Sequence, residues 1–302
     1  MAITRTIYTQ GAVTITKQNG GSFDAFAVLS GVQNASFSLN TPRENVSQFG
    51  AKGLIDKVQV APTEASITCS FIIPDKAQTA GSHITATQLN TLITDAQATS
   101  SLPNYKVSVG GIGEISGAIL SSINVNAAVG DLPTIELTFD GVPTNNSSDA
   151  ENTFPATVAS PPVATAYSVT TPAIVSGFGT VSSVAHQNRS LIASDDSVQT
   201  FTFSWEMPVE RIQRLGEGVN LSQPFGNPPG TATITLEGTN VVDNINNLSG
   251  LVVGPYNFAI GGVLGVTSRE HSMAVGDVAA TFNVTLEGTA DAVVIKIPTN
   301  NP

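Results

Sequence analysis

The residue types that most often carry enzyme chemistry are scarce in this sequence, and its single cysteine is Cys69. One cysteine can form neither a disulfide within the chain nor a cysteine-rich zinc site. Cys69 lies in an alternating apolar run with Ile67 and Phe71. Because a buried cysteine behaves as a small hydrophobic residue, this pattern predicts a core position and not a nucleophile.

The three histidines lie in unrelated segments, without a carboxylate or cysteine at the spacing of metal ligands: His83, His186 and His271. The sequence contains no nucleophile-elbow, zincin, Walker A or dinucleotide-binding motif. The glycine-rich run 110–113 is followed by strand-like sequence, which predicts a turn and not a phosphate loop. Asp131 and Asp277 each follow a Val-Gly pair, but one aspartate is far short of a calcium ligand set. We therefore predict a non-enzymatic protein without catalytic residues, metal or cofactor.

The bulk composition excludes further classes of function. The 302 residues carry a net charge of −11, and charged residues make up only 12% of the chain. An acidic chain is poorly suited to bind nucleic-acid phosphates or anionic membranes through a basic patch. No stretch is apolar for the length of a membrane span, and the N-terminal residues lack an apolar signal core. We expect neither a membrane span nor a signal peptide, and the low charge favours a surface partly covered by other subunits.

The two halves of the sequence resemble each other. Residues 31–50 align without a gap on residues 197–216, with identity at seven of twenty positions. Later in each half, AVGDLPTIELTFDG (Ala128–Gly141) matches AVGDVAATFNVTLEG (Ala274–Gly288) with one inserted residue. Two blocks that recur in the same order indicate an internal duplication, and the Pro-, Ser- and Asn-rich stretch between the halves is typical of a linker. The prediction is domain 1 at 1–143, a linker at 144–164 and domain 2 at 165–302.

Within each half, apolar and polar residues alternate with the period of half-buried strands. The apolar members of the clearest runs are Ala35, Phe37, Leu39; Ile67, Cys69, Phe71; Ile135, Leu137, Phe139; Phe201, Phe203, Trp205, Met207; and Phe282, Val284, Leu286. One helix is predicted in the first half, where Thr85 and Gln88 form a capping box and Ile84 and Leu89 a hydrophobic staple. Its apolar face consists of Leu89, Leu92, Ile93 and Ala96. The second half is shorter here, and 240–248 allows only a turn or two. The sequence thus predicts a mainly β protein with sheets that are apolar on one side.

The polar positions of these strands share one property. They are the alternate residues of 34–40, 64–70, 134–140, 200–206, 231–237 and 281–287, and none of the 24 is Lys or Arg. Basic residues are scarce in the whole chain, 12 of 302, so the absence by itself is only suggestive. A solvent-facing sheet usually mixes both signs of charge. The alternative interpretation is a hydroxyl and carboxylate surface past which a nucleic acid moves without binding.

These segments resemble the tail tube proteins of long-tailed bacteriophages, a fold shared with the tube protein of type VI secretion and other contractile injection machines. The resemblance rests on a strand that ends in a Pro-Arg-Glu type loop (SFSLNTPRENVSQFG and SWEMPVERIQRLG). It also rests on a later strand preceded by proline (APTEASITCSF and NPPGTATITLEG) and on the AVGD turn before the last long strand (IELTFDG and FNVTLEG). It implies a β-sandwich or half-barrel with a flanking helix in each half. The shortened helix region of the second half departs from that pattern.

The function that the resemblance implies is structural. Family members assemble as hexameric rings that stack into a tube for delivery of genomic DNA, and a duplicated chain implies a trimeric ring with pseudo-sixfold symmetry. The implied partners are further copies of the chain, a tape measure protein, a tail terminator and baseplate or tail-tip proteins. DNA passes transiently and without specific contacts, and the chain itself binds no membrane. The implied location is the virion tail, with the host cytoplasm during assembly.

Two sets of residues take roles from this resemblance. The lumen-facing set is Glu64, Thr68, Glu136, Asp140, Glu206, Glu237, Thr285 and Glu287. The second set lies on the long loops within 41–57 and 207–225, which in the family reach the adjacent ring: Arg43, Glu44, Lys52, Lys57, Glu210, Arg211 and Arg214. Ion pairs at such exposed positions contribute at most about 1 kcal/mol each.

Two other functions stay open at the level of the sequence. The first is another virion component on the same fold, such as a distal tail or tail-completion protein. The second is a capsid-decorating or cell-surface β-sandwich that binds glycans. The aromatic content of 6% and a single tryptophan at a core-facing position argue against a stacking platform for sugars.

Overall fold

A computed structural model of the chain describes residues 13–19, 22–29, 31–47, 53, 56–60, 64–73, 83–97, 105–110, 113–128, 131–143, 185–186, 189–190, 197–207, 231–239, 251–253, 256–260, 265–272, 281–289 and 293–296. The first half contains β1 (Val13–Asn19), β2 (Ser22–Leu29), β3 (Val32–Asn40), β4 (Arg43–Val46), β5 (Asp56–Gln59), β6 (Glu64–Ile72), α1 (Ala86–Ala96), β7 (Tyr105–Val109), β8 (Gly113–Ala128) and β9 (Thr134–Pro143). The second half contains β10 (Ala185–His186), β11 (Arg189–Ser190), β12 (Ser197–Glu206), β13 (Thr231–Thr239), β14 (Leu251–Val253), β15 (Tyr256–Ile260), β16 (Gly265–Ser272), β17 (Thr281–Thr289) and β18 (Val293–Lys296). The prediction of a mainly β fold with a short helix is confirmed.

Eight of these strands form one antiparallel series, which we name the continuous sheet, in the order β3-β6-β9-β8-β12-β13-β17-β16. The long strand β8 holds it together. One edge of β8 pairs with β9, and the other pairs first with β7 and then, over Ser122–Ala128, with β12. A side arm of β7, β1 and β2 branches off at β8. The two halves of the chain are therefore joined by backbone hydrogen bonds between β8 and β12.

The order of strands is the same in the two halves. β3-β6-β9-β8 in the first half corresponds to β12-β13-β17-β16 in the second. The β3–β6 register shifts between Val32 and Asn34. The β12–β13 register shifts between Val198 and Thr200, the residues that align with them in the sequence. Each residue of β3 thus has a defined counterpart in β12.

A second irregularity recurs at the other end of each series. The β8–β9 register shifts between Leu120 and Ser122, and the β16–β17 register shifts between Val266 and Ser268. Bulges are specific local features that re-aim a strand and its side chains. Their recurrence defines which residues of β8 and β16 correspond.

One face of β6, β9, β8 and β12 is buried in a single hydrophobic core. The buried residues that the alternation predicts are Ile67, Cys69, Phe71, Ile135, Leu137, Phe139, Phe201, Phe203, Trp205 and Met207. Those of β3 are partly buried against the same core: Ala35, Phe37 and Leu39. Phe282, Val284 and Leu286 lie on β17, but their side chains are not among those described.

Helix α1 begins where the local sequence predicts. The Gln88 N–H donates to the Thr85 hydroxyl at 3.2 Å, and the Thr85 N–H donates to the Gln88 side-chain oxygen at 2.8 Å. The predicted capping box is therefore confirmed. Ile84 and Leu89 of the predicted staple are 2% and 0% exposed. The helix contacts β8 of its own half and β18 of the second half.

Several predictions lie outside the described residues. They are the linker at 144–164, the shortened helix region at 240–248, and the loop residues Lys52, Glu210, Arg211 and Arg214.

Candidate functional site

Cys69 lies on β6 in the core. It is 0% exposed, and its Sγ contacts the Leu137 carbonyl oxygen at 3.7 Å. Burial raises the pKa of the thiol to about 12, so the thiol stays protonated at neutral pH. The predicted core position is confirmed, and the thiol has neither the charge nor the access of a nucleophile.

His83 lies where the two halves meet. It is 1% exposed, with its ring centroid 5.2 Å from that of Phe71 on β6 and 6.5 Å from that of Tyr256 on β15. Burial lowers the pKa of the imidazole to about 4, so it is neutral at pH 7. The buried Tyr256 hydroxyl donates to the Ile84 carbonyl oxygen at 2.7 Å, beside the helix. His83 therefore packs inside the contact between the halves.

The other predicted turns also take structural roles. The glycine-rich run 110–113 joins the antiparallel strands β7 and β8, and the Asp131 N–H donates to the Ala128 carbonyl oxygen at 3.1 Å between β8 and β9. Among the described residues, no group of three or more His, Cys, Asp or Glu is arranged to hold a metal ion. The part of the chain that the structure covers contains no helix long and apolar enough to cross a membrane.

The second face of the continuous sheet, which we name the polar face, collects the polar positions that the sequence pattern predicts. It includes all members of the predicted lumen-facing set: Glu64, Thr68, Glu136, Asp140, Glu206, Glu237, Thr285 and Glu287. Every polar-face side chain that the structure describes is half-buried or exposed. The described side chains of the polar face are thus in contact with water, while the opposite face of β6, β9, β8 and β12 is buried in the core.

Hydroxyl groups pair across the strands of the polar face. The Oγ1 atoms of Thr68 and Thr138 lie 3.3 Å apart, and those of Thr235 and Thr285 lie 3.4 Å apart. These two pairs occupy corresponding positions of β6–β9 and β13–β17. Cross-strand pairs of this kind stabilise a sheet and fix its register. The polar face is thus built in the same way in both halves.

The charge of the polar face has one sign. Its strands contain a single basic residue, Arg269 of β16, and this residue pairs with Val284 at a position between those of the polar face. The carboxylates are spread over most of the strands, from Glu64 on β6 to Glu287 on β17. An array of carboxylates without cations produces a negative potential over the whole face.

Sequence reasoning missed several members of the polar face. On β8 they are Ser122, Asn124 and Asn126, and on β16 they are Ser268, Glu270 and Ser272. The β8 residues alternate with Ile123 and Val125, so the period-two pattern was present and was sufficient to find them. The β16 segment GVTSREHS lacks an apolar alternation. Glu270 was therefore not identifiable from its own strand.

Strands β4 and β5 form a hairpin with a sheet of its own. All the side chains of β4 and all those described on β5 are exposed. Opposed residues of an antiparallel pair share a face. One face carries the bases, with Arg43, Asn45 and Lys57. The other carries acids and valines, with Glu44, Val46, Asp56 and Val58.

This hairpin also concentrates apolar exposure. The exposed large hydrophobic residues of the described chain include Val46, Val58 and Val60, at 41%, 47% and 45%. A two-stranded hairpin with both faces in water is only marginally stable. The hairpin and the residue after it thus expose apolar side chains to water, and the hairpin holds the described members of the predicted inter-ring set, Arg43, Glu44 and Lys57.

No protein-family model matches the chain, and no curated protein matches it significantly. Among solved structures it is similar to a chain of the tail of an empty gene transfer agent particle with C6 symmetry, at 16% identity and a TM-score of 0.30. It is also similar to a chain of the virion of a native gene transfer agent particle, at 15% identity and a TM-score of 0.28. Each similarity covers 43% of this chain and 90% of the other.

Proposed function

We propose that this protein is a structural virion protein whose copies form rings that stack into a phage tail tube for genomic DNA. The observation that carries the proposal is the polar face, which runs unbroken across all strands of the continuous sheet. It is wet, bears hydroxyls and carboxylates, and has no cation among its members. The buried core behind it leaves this face as the side turned toward water.

A channel for DNA requires a surface that does not retain phosphates. Carboxylates such as Glu136, Glu206 and Glu237 repel a polyanion at close range, while threonine and serine hydroxyls keep the surface hydrated. Lysine or arginine at the same positions attracts DNA through counterion release. The polar face therefore fits passage without binding.

The ring is proposed to contain two similar domains from each chain, at 1–143 and 165–302, joined by the linker at 144–164. The shared strand order and the two matched bulges support a duplication. Three such chains give a ring with pseudo-sixfold symmetry, which is the proposed assembly. The proposed location is the virion tail, after assembly in the host cytoplasm.

Contacts between rings are assigned to the β4–β5 hairpin. Its two faces carry opposite charge, and its exposed valines gain from burial against another copy. The other proposed partners are a tape measure protein, a tail terminator and baseplate or tail-tip proteins, which end or measure the same tube.

Negative-stain electron microscopy of the purified protein tests this function. Hollow rings or tubes of constant bore are the expected result. Capped discs or small closed oligomers indicate a distal tail or tail-completion protein, and monomers that bind glycans indicate a surface module. Either of these results contradicts the proposed tail tube.

A second experiment tests the channel itself. We expect Thr138→Lys and Thr285→Lys on the polar face to leave rings intact but to make assembled tubes retain short DNA at low salt. Thr87→Lys adds the same charge on an exposed position of α1 and is the matched control. Equal retention by all three variants contradicts a channel at the polar face.

A further inference from the structure

We infer that the two outer edges of the continuous sheet pair between copies, an inference that rests on the proposed self-assembly. Strand β16 of one copy pairs with β3 of the next, in the register of the internal β8–β12 contact. The internal contact is named here the inner junction. The proposed contact is named the outer junction. The inference specifies which residues of two copies lie opposite each other.

The inner junction supplies the template. β8 and β12 pair antiparallel, with Ser122 opposite Glu206, Asn124 opposite Ser204, and Asn126 opposite Thr202. It joins the last strand of the first series to the first strand of the second. β16 is the last strand of the second series, and β3 is the first strand of the first. The same type of contact is therefore available between copies.

The matched bulges identify which residues of the outer junction correspond to those of the inner junction. Ser122 and Asn124 of β8 correspond to Ser268 and Glu270 of β16. Ser122 and Ser268 are each the first residue after the register shift with the neighbouring strand, β9 or β17, and Asn124 and Glu270 each lie two residues further along. On the other side, the gapless alignment and the shared bulge relate β12 to β3. The outer junction then places Ser268 opposite Asn40, Glu270 opposite Ser38, and Ser272 opposite Ser36.

Both edges are available for such pairing. Among the described strands, β3 pairs only with β6, and β16 pairs only with β17. They are long for edge strands, at nine and eight residues. The backbone groups on the outer side of an edge strand can pair with a strand of another chain.

The chemistry across the template is preserved in the outer junction. At the inner junction the Ser204 hydroxyl donates to Asn124 Oδ1 at 2.9 Å. The corresponding residues are Ser38, again a hydroxyl donor, and Glu270, again an oxygen acceptor. Ser38 already shares a 2.6 Å hydrogen bond with Ser66 of β6, which holds its hydroxyl on the polar face.

The apolar side chains of β3 are less buried than those of β12, as expected for a strand that gains a neighbour on assembly. On β12, which has neighbours on both edges, Phe203 and Trp205 are 1% and 0% exposed. Their counterparts on β3, Phe37 and Leu39, are only half-buried. A strand added beside β3 covers this side in the same way. Because the two edges differ, the contact is heterologous and generates a ring when the rotation closes.

Disulfide cross-linking tests the register. The variant carrying Ser38→Cys and Glu270→Cys is expected to form covalent head-to-tail oligomers on mild oxidation, ending in a closed ring. The variant carrying Asn34→Cys and Glu270→Cys keeps the same face and strands but is displaced along β3, and it is the control. Asn124→Cys with Ser204→Cys is the positive control, which closes the inner junction within one chain. Native Cys69 is buried in every variant.

The outcomes separate this inference from the proposed function. Cross-linking of the first pair, and of Ser36→Cys with Ser272→Cys, at several-fold the yield of the displaced pair supports the outer junction. Equal yields, or none while the inner control closes, overturn it even where tubes are visible by electron microscopy. Cross-linked rings that never stack into tubes support the outer junction and contradict the proposed tail tube.

Discussion

Strands β12 and β3 are the same strand of the fold in two different surroundings. The pattern of alternation is shared, and so are the bulge and the neighbour on one side, β13 or β6. β12 has β8 on its other side, and its residues Phe201, Phe203 and Trp205 are 1%, 1% and 0% exposed. The corresponding residues of β3 are half-buried. Among the described strands, β3 lacks the second neighbour that β12 has, and its apolar side chains are correspondingly less buried.

The β8–β12 contact within one chain is the template for the proposed contact between chains. Because β8 and β12 belong to one chain, their contact is unimolecular, and its formation does not depend on protein concentration. Between chains, the same contact must overcome the loss of translational and rotational freedom. We therefore expect the inner junction to be permanent and the outer junction to depend on concentration.

The largest effect is expected from matched alanine substitutions on the two strands. Phe203 is 1% exposed, and its ring lies 5.2 Å from that of Phe258, so Phe203→Ala should lower the free energy of unfolding by about 3–5 kcal/mol. Phe37→Ala in the unassembled chain should cost about 1–2 kcal/mol, because Phe37 is only half-buried. Chemical denaturation of dilute protein measures both values.

Assembly should change the cost of Phe37→Ala. In assembled protein, the cost of Phe37→Ala should rise toward that of Phe203→Ala, since the outer junction buries the ring. Thermal melting of dilute and assembled samples makes this comparison. A Phe37→Ala cost that is the same in both states argues against a neighbour strand at β3.

The second prediction concerns pH and His83, which packs between Phe71 of the first half and Tyr256 of the second. His83 has a pKa of about 4 in the folded chain, against 6.5 for an ordinary histidine. Between these values the unfolded chain binds a proton that the folded chain does not bind, so unfolding becomes easier as the pH falls. The expected loss between pH 6.5 and pH 4 is about 3 kcal/mol.

His83→Leu isolates this contribution from that of the carboxylates. The variant should lose about 3 kcal/mol less stability than the parent chain when the pH is lowered from 7.5 to 4. Denaturation curves at the two pH values give the difference. The same pH dependence in both proteins places the acid sensitivity elsewhere.

Local features of the fold were predictable from the sequence because neighbouring residues determine them. Thr85 and Gln88 specify the start of α1 through a capping box that spans four residues. The alternation around Ile67 and around Leu137 likewise specifies two strands and their buried faces. The polar face followed from the same alternation.

The joining of the halves was not predictable in this way. No local pattern indicates that the second part of β8 pairs with β12, because the contact depends on residues such as Asn124 and Ser204 that are distant in the sequence. The polar residues of β16 were also missed, since Glu270 lies in a segment without apolar alternation. The self-comparison of the chain identifies equivalent strands, but pairing between them is a property of the folded sheet.

The third prediction concerns two tyrosines in similar positions, each at the start of a short strand. On β15, the Tyr256 hydroxyl donates to the buried Ile84 carbonyl oxygen at 2.7 Å. Tyr256→Phe leaves that carbonyl without this donor and should cost about 1–2 kcal/mol. On β7, the Tyr105 hydroxyl donates to Asp95, which also pairs with Lys17 at 2.7 Å.

Tyr105→Phe is therefore the matched control for the Tyr256 contact with Ile84. Asp95 keeps its ion pair with Lys17 and is partly exposed, so this variant should cost less than Tyr256→Phe. Denaturant midpoints at equal slope give the two values. A larger cost for Tyr105→Phe contradicts the importance of the Tyr256 contact between the halves.

The smallest effect on the isolated chain, and the most specific to assembly, is expected at the β4–β5 hairpin. Lys57→Glu replaces one of the two cations of the basic face with an anion at an exposed position, so the free energy of unfolding should change by less than about 0.5 kcal/mol. Sedimentation should show several-fold more unassembled protein at low salt, with the difference shrinking at high salt because exposed charges are screened. Lys57→Gln should be intermediate. Because the hairpin lies outside the continuous sheet, cross-linking of the outer junction should be unchanged in these variants, and a loss of that cross-link would mean that the hairpin contributes to the ring itself.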